Sequence, residues 1–340
     1  MTQGDITKTV RYGVESTRGT GVTCTNILDI AEADWDITPP TIRSDNLTGG
    51  VDPSPQVTAG IVVPRIRVKL GSINWDKWQR WLAAAFDGSI TAAGAGADKT
   101  WGSNAIKPPA VSTGGALTDN LKSYTLEFGY ANPSASQPAH KVTGALVERI
   151  KLTVPRVGFA QAEIDFVSIS AVTDLTAYSG TLSPDAMSAA VPSNSDATGT
   201  TGLKVYSDAA GGTIGSTQDA AAVSAEIEWK SFLVADDNAK KLTIGQQAQW
   251  TAKYSRFWDA ADALGYSRTK AERKVRMDLV GPALGSGTWI LGFDLYAAVD
   301  AVPKASLNGF ASEDVALVPL RDATAATSIA ARLVNSVNTL

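Results

Sequence analysis

The side chains that most often carry catalysis are rare in this sequence. It contains one histidine, His140, and one cysteine, Cys24. Hydrolytic and acyl-transfer enzymes usually need a base with a pKa near 7, which histidine supplies unperturbed. His140 follows Pro138-Ala139, with no cysteine nearby and no Gly-x-Ser-x-Gly motif in the chain. We therefore expect a surface turn histidine, and for Cys24 a small, half-buried residue without a function.

Metal and phosphate sites are not indicated either. One histidine and one cysteine cannot build the usual zinc centres, and the sequence has no calcium-binding acidic loop. The segment 94–100, Gly-Ala-Gly-Ala-Asp-Lys-Thr, is the nearest approach to a phosphate loop. Asp98, however, stands where a Walker loop needs glycine before its lysine, and its charge would repel phosphate. We expect no cofactor and no metal.

Glu163 and Asp165 share one face of a predicted strand and are the best carboxylate pair for acid–base chemistry. A solvated strand face explains them much better, because no recognisable pocket accompanies them. We therefore expect no catalytic residue and predict that the protein is not an enzyme.

Alternating apolar and polar residues, which mark strands with one buried face, recur along the chain. The predicted strands are 65–70, 124–130, 148–154, 161–168, 223–229, 246–253, 275–279 and 289–296, with a final pair within 305–320. Gly158 is expected to supply the turn between two of them. The pattern predicts a mainly β protein.

Two helices are expected among these strands. The stronger one covers 76–86, where Trp78, Trp81, Leu82, Ala85 and Phe86 form one apolar stripe that must cover a sheet. A second helix fits 257–264. Both halves of the chain then have the order strand, strand, helix, strand, strand, strand.

The length of 340 residues favours two domains. Segment 179–222 is dominated by small and polar residues and predicts a linker, with a first β domain over 1–178 and a second over 223–340. Ala31-Glu32-Ala33-Asp34-Trp35 and Ala225-Glu226-Ile227-Glu228-Trp229 match between the halves, which suggests a duplication. Two unrelated small β domains remain an alternative.

Charge and hydropathy restrict the possible partners. The net charge is −4 and the pI about 5.2, which does not favour tight binding to nucleic acid. No apolar run is long enough to cross a bilayer, and the first residues do not resemble a signal peptide. We expect no membrane partner and a protein made in the cytoplasm.

The sequence resembles the tail tube (major tail) proteins of tailed bacteriophages in the order and style of its segments. The resemblance begins with Val14-Glu15-Ser16-Thr17-Arg18-Gly19-Thr20 and the strand that ends at Trp35. It continues through the polar loop 39–56, the strand 65–71, the helix 76–86, the strand 124–130, the run 142–150 and the segment 158–168.

The resemblance implies two tandem β-sandwich or flattened-barrel domains, each with one flanking α-helix. It also implies a structural virion protein that forms stacked rings around the path of ejected DNA, assembled in the host cytoplasm. The main partner is the chain itself: three chains form a ring with pseudo-six-fold symmetry if the duplication holds, and six if it does not. Tape-measure and tail terminator proteins are the other implied partners, and DNA passes without specific binding.

The resemblance also suggests roles for particular residues. Loop 39–56 is the candidate contact to the next ring, with Asp45, Asn46 and Asp52 as its polar groups. A channel that lets DNA slide should present neutral or acidic side chains. The candidates for that role are Glu127, Glu148, Glu163 and Asp165. The cations on neighbouring strand faces, such as Arg67 and Arg149, are expected to be solvated or to pair with acidic faces of adjacent subunits.

Two other functions fit the sequence. One is a different virion β protein, such as a distal tail or capsid decoration protein. The other is a carbohydrate-binding β-sandwich in which Trp75, Trp78 and Trp81 stack on sugars, although their spacing places them around a helix.

Overall fold

The computed structural model describes most of the chain, with gaps. The described residues are 8–38, 41–43, 57–59, 63–94, 96–109, 120–182, 201–220, 222–236, 241–257, 270–302, 304–307, 310–322, 326–337 and 340. They form a mainly β structure whose strands belong for the most part to one large antiparallel sheet. The prediction of a mainly β protein is confirmed.

Twenty strands follow one another along the described part of the chain. The strands before residue 180 are β1 (Lys8–Val14), β2 (Asn26–Ile27), β3 (Ile30–Asp36), β4 (Thr41–Arg43), β5 (Val57–Ala59), β6 (Arg65–Leu70), β7 (Ala92–Ala93), β8 (Lys99–Ile106), β9 (Tyr124–Tyr130), β10 (Ala139–Val154), β11 (Gln161–Val167) and β12 (Thr173–Leu175). The strands after it are β13 (Gly202–Ala209), β14 (Ala222–Asp236), β15 (Lys241–Phe257), β16 (Glu272–Leu284), β17 (Gly287–Ala301), β18 (Lys304–Leu307), β19 (Phe310–Pro319) and β20 (Ile329–Asn335). Every strand predicted from alternation overlaps one of these.

One helix, α1 (Trp78–Ala85), lies among the described residues, after a 3₁₀ turn at Trp75–Lys77. Asn74 Oδ1 accepts a hydrogen bond from the N–H of Asp76 at 3.0 Å, which satisfies a donor at the start of the turn. The α-helix is therefore shorter than the predicted 76–86.

The helix α1 is buried on nearly all sides. The predicted apolar stripe is confirmed, because its five members are at most 1% exposed. Gln79, Ala83 and Ala84 on the other sides are also buried. A helix that is buried all round lies between layers, so α1 does more than cover one sheet.

The strand β10 bends and joins two parts of the structure. Residues 139–145 pair with β9 and β12, whereas residues 146–154 pair with β11 and β14. The bend falls at Gly144, whose φ of +65° is a conformation that favours glycine. Because β14 belongs to the second half of the chain, the β10–β14 pairing joins the two halves edge to edge.

The order of paired strands is the same in both halves. The first half has the order β1–β9–β10–β11–β6–β3, and β12 pairs with the start of β10. The second half has the order β13–β16–β17–β19–β15–β14, and β20 pairs with the first part of β17. These strands also follow each other in the same sequence along the chain. Each set therefore has matching neighbours and matching connections.

The halves share one hydrophobic core. Phe86, which follows α1, stacks on Trp229 of β14 with ring centroids 4.5 Å apart. The strand β8 pairs with β20, the last strand of the chain. At that pairing, Trp101 Nε1 donates to Asn335 Oδ1 at 2.9 Å. Packing therefore connects the N-terminal and C-terminal halves in addition to the strand joint.

Part of the predicted linker is a strand. Residues 202–209 form β13, which pairs with β16 along its whole length. Val205 is completely buried in the core, a signal that the small and polar composition around it conceals. Ser179 is also held in place, because its N–H donates to Glu127 Oε2 at 2.9 Å. Residues 183–200 lie outside the described part of the chain.

Two other predicted segments fall largely outside the described residues. The predicted helix 257–264 is one of them, apart from Phe257, which ends β15. In the predicted loop 39–56, only 41–43 are described, and they pair with 57–59. Asp45, Asn46 and Asp52 lie outside the described residues.

Gly292 in β17 leaves space for a carboxylate, so we expect Gly292→Ala to destabilise the fold. A Cβ at this position would lie 1.9 Å from Asp278 Oδ1 and 3.1 Å from Met277 O. Asp278 is only 6% exposed and accepts two hydrogen bonds from Arg332, at 2.9 and 2.7 Å, so it cannot move freely. Overpacking of this kind costs about 1–3 kcal/mol.

The measurement is the free energy of unfolding from urea titrations. Gly211→Ala is the matched control, because nothing lies within 4 Å of the Cβ it would add. Equal stability of the two variants would show that Asp278 does not occupy the space above Gly292.

Candidate functional site

The outward face of six neighbouring strands carries charged rows of alternating sign. The strands are adjacent in the order β3, β6, β11, β10, β14 and β15. We call this surface the charged sheet face. Its members are Glu32, Asp34 and Asp36 on β3, Arg65, Arg67 and Lys69 on β6, Glu163 and Asp165 on β11, Glu148, Arg149 and Lys151 on β10, Glu226, Glu228 and Lys230 on β14, and Lys253 on β15.

The other face of the same strands is apolar and lies in the core. Val68 of β6, Ile164 of β11 and Ile227 of β14 are at most 4% exposed, and Trp81 contacts Phe166 with ring centroids 5.8 Å apart. This strict alternation follows from the two-residue period of a strand. It leaves one face for the core and α1, and the opposite face for charges.

Register places opposite charges beside one another across the strands. Arg65 Nη1 lies 2.6 Å from Glu148 Oε2, and Arg67 Nε lies 3.1 Å from Asp165 Oδ1. Further along, Lys151 Nζ lies 3.3 Å from a carboxylate oxygen of Glu226. Single exposed ion pairs contribute little to stability. Their consequence here is that Arg65, Arg67 and Lys151 already have anionic partners.

Arg149 is the centre of this network. Its guanidinium contacts three carboxylates: Glu228 at 2.8 Å, Glu163 at 3.2 Å and Asp165 at 3.4 Å. Burial alone lowers the pKa of Arg149, but the hydrogen bond and charge of Glu228, with the charges of its other partners, raise it above its usual value. The hydrogen bond from Arg149 in turn lowers the pKa of Glu228. Arg149 and Glu228 therefore stay ionised around neutral pH.

Three of the four predicted channel-facing carboxylates lie together on the charged sheet face. Glu148, Glu163 and Asp165 belong to it, each paired with an arginine of the same chain. Arg67 is solvated as expected, with 66% of its side chain exposed, and it also pairs within the chain. Arg149 departs from the expectation, because it is mostly buried and its partners belong to its own chain. Sequence alternation identified both rows, but only the register shows which residues meet.

Glu127 does not lie on this surface. It is completely buried on β9 and accepts hydrogen bonds from the N–H and hydroxyl of Ser179, with Lys141 Nζ at 3.6 Å. The prediction of a channel-facing side chain is not met, because the segment around Ser179 covers this face of β9. Alternation alone could not show that both faces of the strand are covered.

Glu15 organises the segment 14–20 that begins the resemblance. Its buried carboxylate accepts hydrogen bonds from Gly19 N–H at 2.8 Å and Gly144 N–H at 2.9 Å. The hydroxyls of Ser123 and Thr125 also donate to it, at 2.7 and 2.9 Å. A buried carboxylate needs such donors. The segment is therefore fixed against β9 and against the bend of β10.

Cys24, His140 and Lys99, the other residues considered for chemistry, each contact groups of the surrounding fold. Burial, followed by the charge of Glu127, raises the pKa of Cys24 to about 12, so the thiol stays protonated at neutral pH. His140 Nδ1 lies 2.8 Å from Asp174 Oδ1 on the neighbouring β12. In the segment 94–100, Lys99 donates to Gly94 O at 2.6 Å, within its own loop.

The three tryptophans considered for sugar stacking are not accessible. Trp75, Trp78 and Trp81 are 0%, 1% and 1% exposed, and Trp81 packs against Tyr12 and Tyr124. A sugar cannot reach these rings without unfolding the core. The proposed carbohydrate site is therefore wrong.

Asp208 binds residues 215–217 in the connection between β13 and β14. We expect its contribution to stability to depend on pH. Burial would raise its pKa, but hydrogen bonds from the side chains of Ser216 and Thr217 and from the N–H groups of Gly215 and Ser216 lower it below the usual value. A lowered folded-state pKa contributes stability above the unfolded pKa of about 3.9, and this contribution is lost as pH falls through the folded value.

We therefore expect Asp208→Asn to be less stable than the parent chain at pH 7, and the difference to shrink towards pH 3. Urea unfolding across this pH range measures it. Glu272→Gln, which removes an exposed carboxylate, is the control. A difference for Asp208→Asn that is constant with pH would contradict the role of its charge.

Among the described residues, no helix is long and apolar enough to cross a membrane, and no group of three or more potential metal ligands occurs. The sequence matches no protein-family model, and a comparison with curated proteins found no significant relative.

Proposed function

We propose that this chain is the structural subunit of a phage-type tail tube, and that its charged sheet face lines the channel through which DNA passes. The observation that carries the proposal is the repeated strand order, with the two repeats joined edge to edge through β10 and β14. In this proposal the protein is a virion component assembled in the host cytoplasm, with no catalytic role.

An edge-to-edge joint between like units favours a ring. The same joint can be used again between chains, and such head-to-tail contacts close when the rotation per unit divides a full turn. A closed ring also removes open strand edges, which otherwise invite uncontrolled pairing. With two units in each chain, three chains supply six units. A ring of six chains is the alternative if the two halves do not play equivalent parts.

The orientation of the sheet follows from what covers each face. One face packs on α1 and on the strands around β9, so it needs room for a second layer. The charged sheet face has no such layer among the described residues. In a closed ring, the face covered by α1 and the strands around β9 fits on the outside, where there is more room. The charged sheet face fits the interior.

Paired charges suit a channel for DNA. Duplex DNA binds unpaired lysines and arginines with release of counterions, which would hold it in place. Arg67 and Arg149 are already bound by Asp165, Glu163 and Glu228. Such a surface is solvated and charged, yet it offers few free cations to phosphate. Tape-measure and tail terminator proteins are the further partners that this proposal requires.

Electron microscopy of the purified, concentrated protein tests the proposal. We expect rings or stacked tubes, and averaged end views with three-fold symmetry and six similar lobes. End views with true six-fold symmetry would overturn the three-chain ring but retain the tube. Monomers at every concentration and salt condition would overturn the proposed function.

A further inference from the structure

Several sheet edges lack a strand partner among the described residues, and two of them are relevant to assembly. One is the edge of β3 that faces away from β6. The other includes Ala301 of β17 and continues along β18, on the side opposite to β19. The β16 side of β17 is covered only as far as Val299, whose N–H donates to Ala271 O at 3.4 Å.

The joint between β10 and β14 shows how such edges combine inside the chain. The two strands are antiparallel, with Ile150 opposite Trp229 and Lys151 opposite Glu228. β14 is the last strand in the pairing order of the second half, as β3 is in that of the first. This internal joint is a template for a contact between chains.

The register shows that β3 is the counterpart of β14. Trp35 lies opposite Ile66, as Trp229 lies opposite Trp250. An acid–lysine pair also recurs in each half. These pairs are Glu32 opposite Lys69 and Glu226 opposite Lys253. The five-residue match in the sequence therefore occupies equivalent positions, and Asp34 corresponds to Glu228.

The register also shows that β17 is the counterpart of β10. In the first half, Val68 of β6 lies opposite Ile164 of β11, and Ile164 lies opposite Ile150 of β10. In the second half, Ala252 lies opposite Leu317, which lies opposite Val299 of β17. One bulged residue later, Ala301 pairs with Ala316 as Lys151 pairs with Glu163. Ala301 therefore occupies the position of Lys151.

We propose that β3 of one chain pairs antiparallel with the β17–β18 edge of the next chain, with Asp34 of the incoming chain opposite Ala301. This inference rests on the proposed function, because it names the contact by which the rings form. The joint starts later than its internal template, since β16 covers β17 as far as Val299. The strand β18 compensates by extending the open edge to Leu307.

A lysine side chain binds a backbone carbonyl group at each of these two edges. Lys8 Nζ donates to the carbonyl oxygen of Ala33 in β3 and lies 3.0 Å from Asp34 Oδ1. Lys270 Nζ donates to Asp300 O in β17 at 2.7 Å. Lysines at sheet edges hinder unwanted strand addition. Lys8 and Lys270 therefore lie at the two edges that the proposed joint uses. Both side chains must move away when the chains assemble.

Disulfide cross-linking tests the joint. Residues directly opposite in an antiparallel pair have Cα atoms about 4.5–5.5 Å apart, which a disulfide spans. The test variant is Asp34→Cys with Ala301→Cys in the full chain. After mild oxidation of the assembled protein, we expect bands of linked chains on a non-reducing denaturing gel, at least about tenfold stronger than those of the negative control.

Two matched pairs serve as controls. Lys151→Cys with Glu228→Cys reproduces the internal joint and should close within one chain, with loss of free thiol and no linked chains. Asp34→Cys with Lys253→Cys places two thiols on the charged sheet face at positions that the proposal does not bring together. Cys24 is buried, and single-cysteine variants measure its background.

Each outcome separates the joint from the proposed function. Assemblies that form normally but do not cross-link, while the internal pair does, would overturn the joint and leave the tube. Linked chains that form open strings instead of rings would support the joint and overturn the tube. Protein that neither assembles nor cross-links would overturn both.

Discussion

Replacement of Trp229 by alanine is expected to lower the free energy of unfolding by about 3–5 kcal/mol, as is usual for large aromatic residues in a core. Trp229 is 2% exposed and lies on β14, the strand that joins the second half to the first. Its ring stacks on Phe86, which follows α1. The variant therefore loses packing in the core shared by both halves, and urea titration followed by circular dichroism measures the loss.

The connection between the halves can be isolated with a double-mutant cycle. Phe86→Leu and Trp229→Leu, alone and combined, give the coupling energy of the stacked pair, for which we expect about 0.5–1.5 kcal/mol. Phe159→Ala is the control, because this side chain is 52% exposed. Additive losses from Phe86→Leu and Trp229→Leu would show that the stack does not couple the halves.

The second large effect concerns DNA. We expect the triple variant Glu163→Gln, Asp165→Asn and Glu228→Gln to bind duplex DNA measurably at low salt, whereas the parent protein does not. The three substitutions remove the partners of Arg149 and one partner of Arg67. Two freed arginines should give a slope of about −2 in a plot of log K against log salt concentration.

Fluorescence anisotropy of a labelled duplex, measured over a range of salt concentrations, tests this. The control variant carries the same change in net charge away from the charged sheet face, as Asp87→Asn, Asp98→Asn and Glu272→Gln, which remove carboxylates that form no ion pair among the described residues. Equal DNA binding by both triple variants would show that total charge decides, and not the unpaired arginines on the face. Retained solubility and an unchanged circular dichroism spectrum establish that the triple variant is folded.

The local elements of the fold could be predicted because their signals are local. The alternation in Arg65–Leu70 and Tyr124–Tyr130 predicted β6 and β9 with their observed bounds. The stripe from Trp78 to Phe86 predicted the position of α1 and its burial. The match between 31–35 and 225–229 also came from the sequence, and the strand register gives its two copies equivalent positions.

Long-range pairing decided the rest, since it depends on what covers each strand. Alternation assigned Glu127 and Glu163 the same kind of position, yet the segment at Ser179 buries the first and nothing described covers the second.

The sequence by itself determined where many of the strands and α1 form and which side chains alternate. These properties depend on the side-chain period of each segment. Only the tertiary structure decided that acidic and basic rows meet as pairs, that β13 is a strand and which edges lack a partner. These properties depend on register between segments distant in sequence, and no local pattern specifies that register.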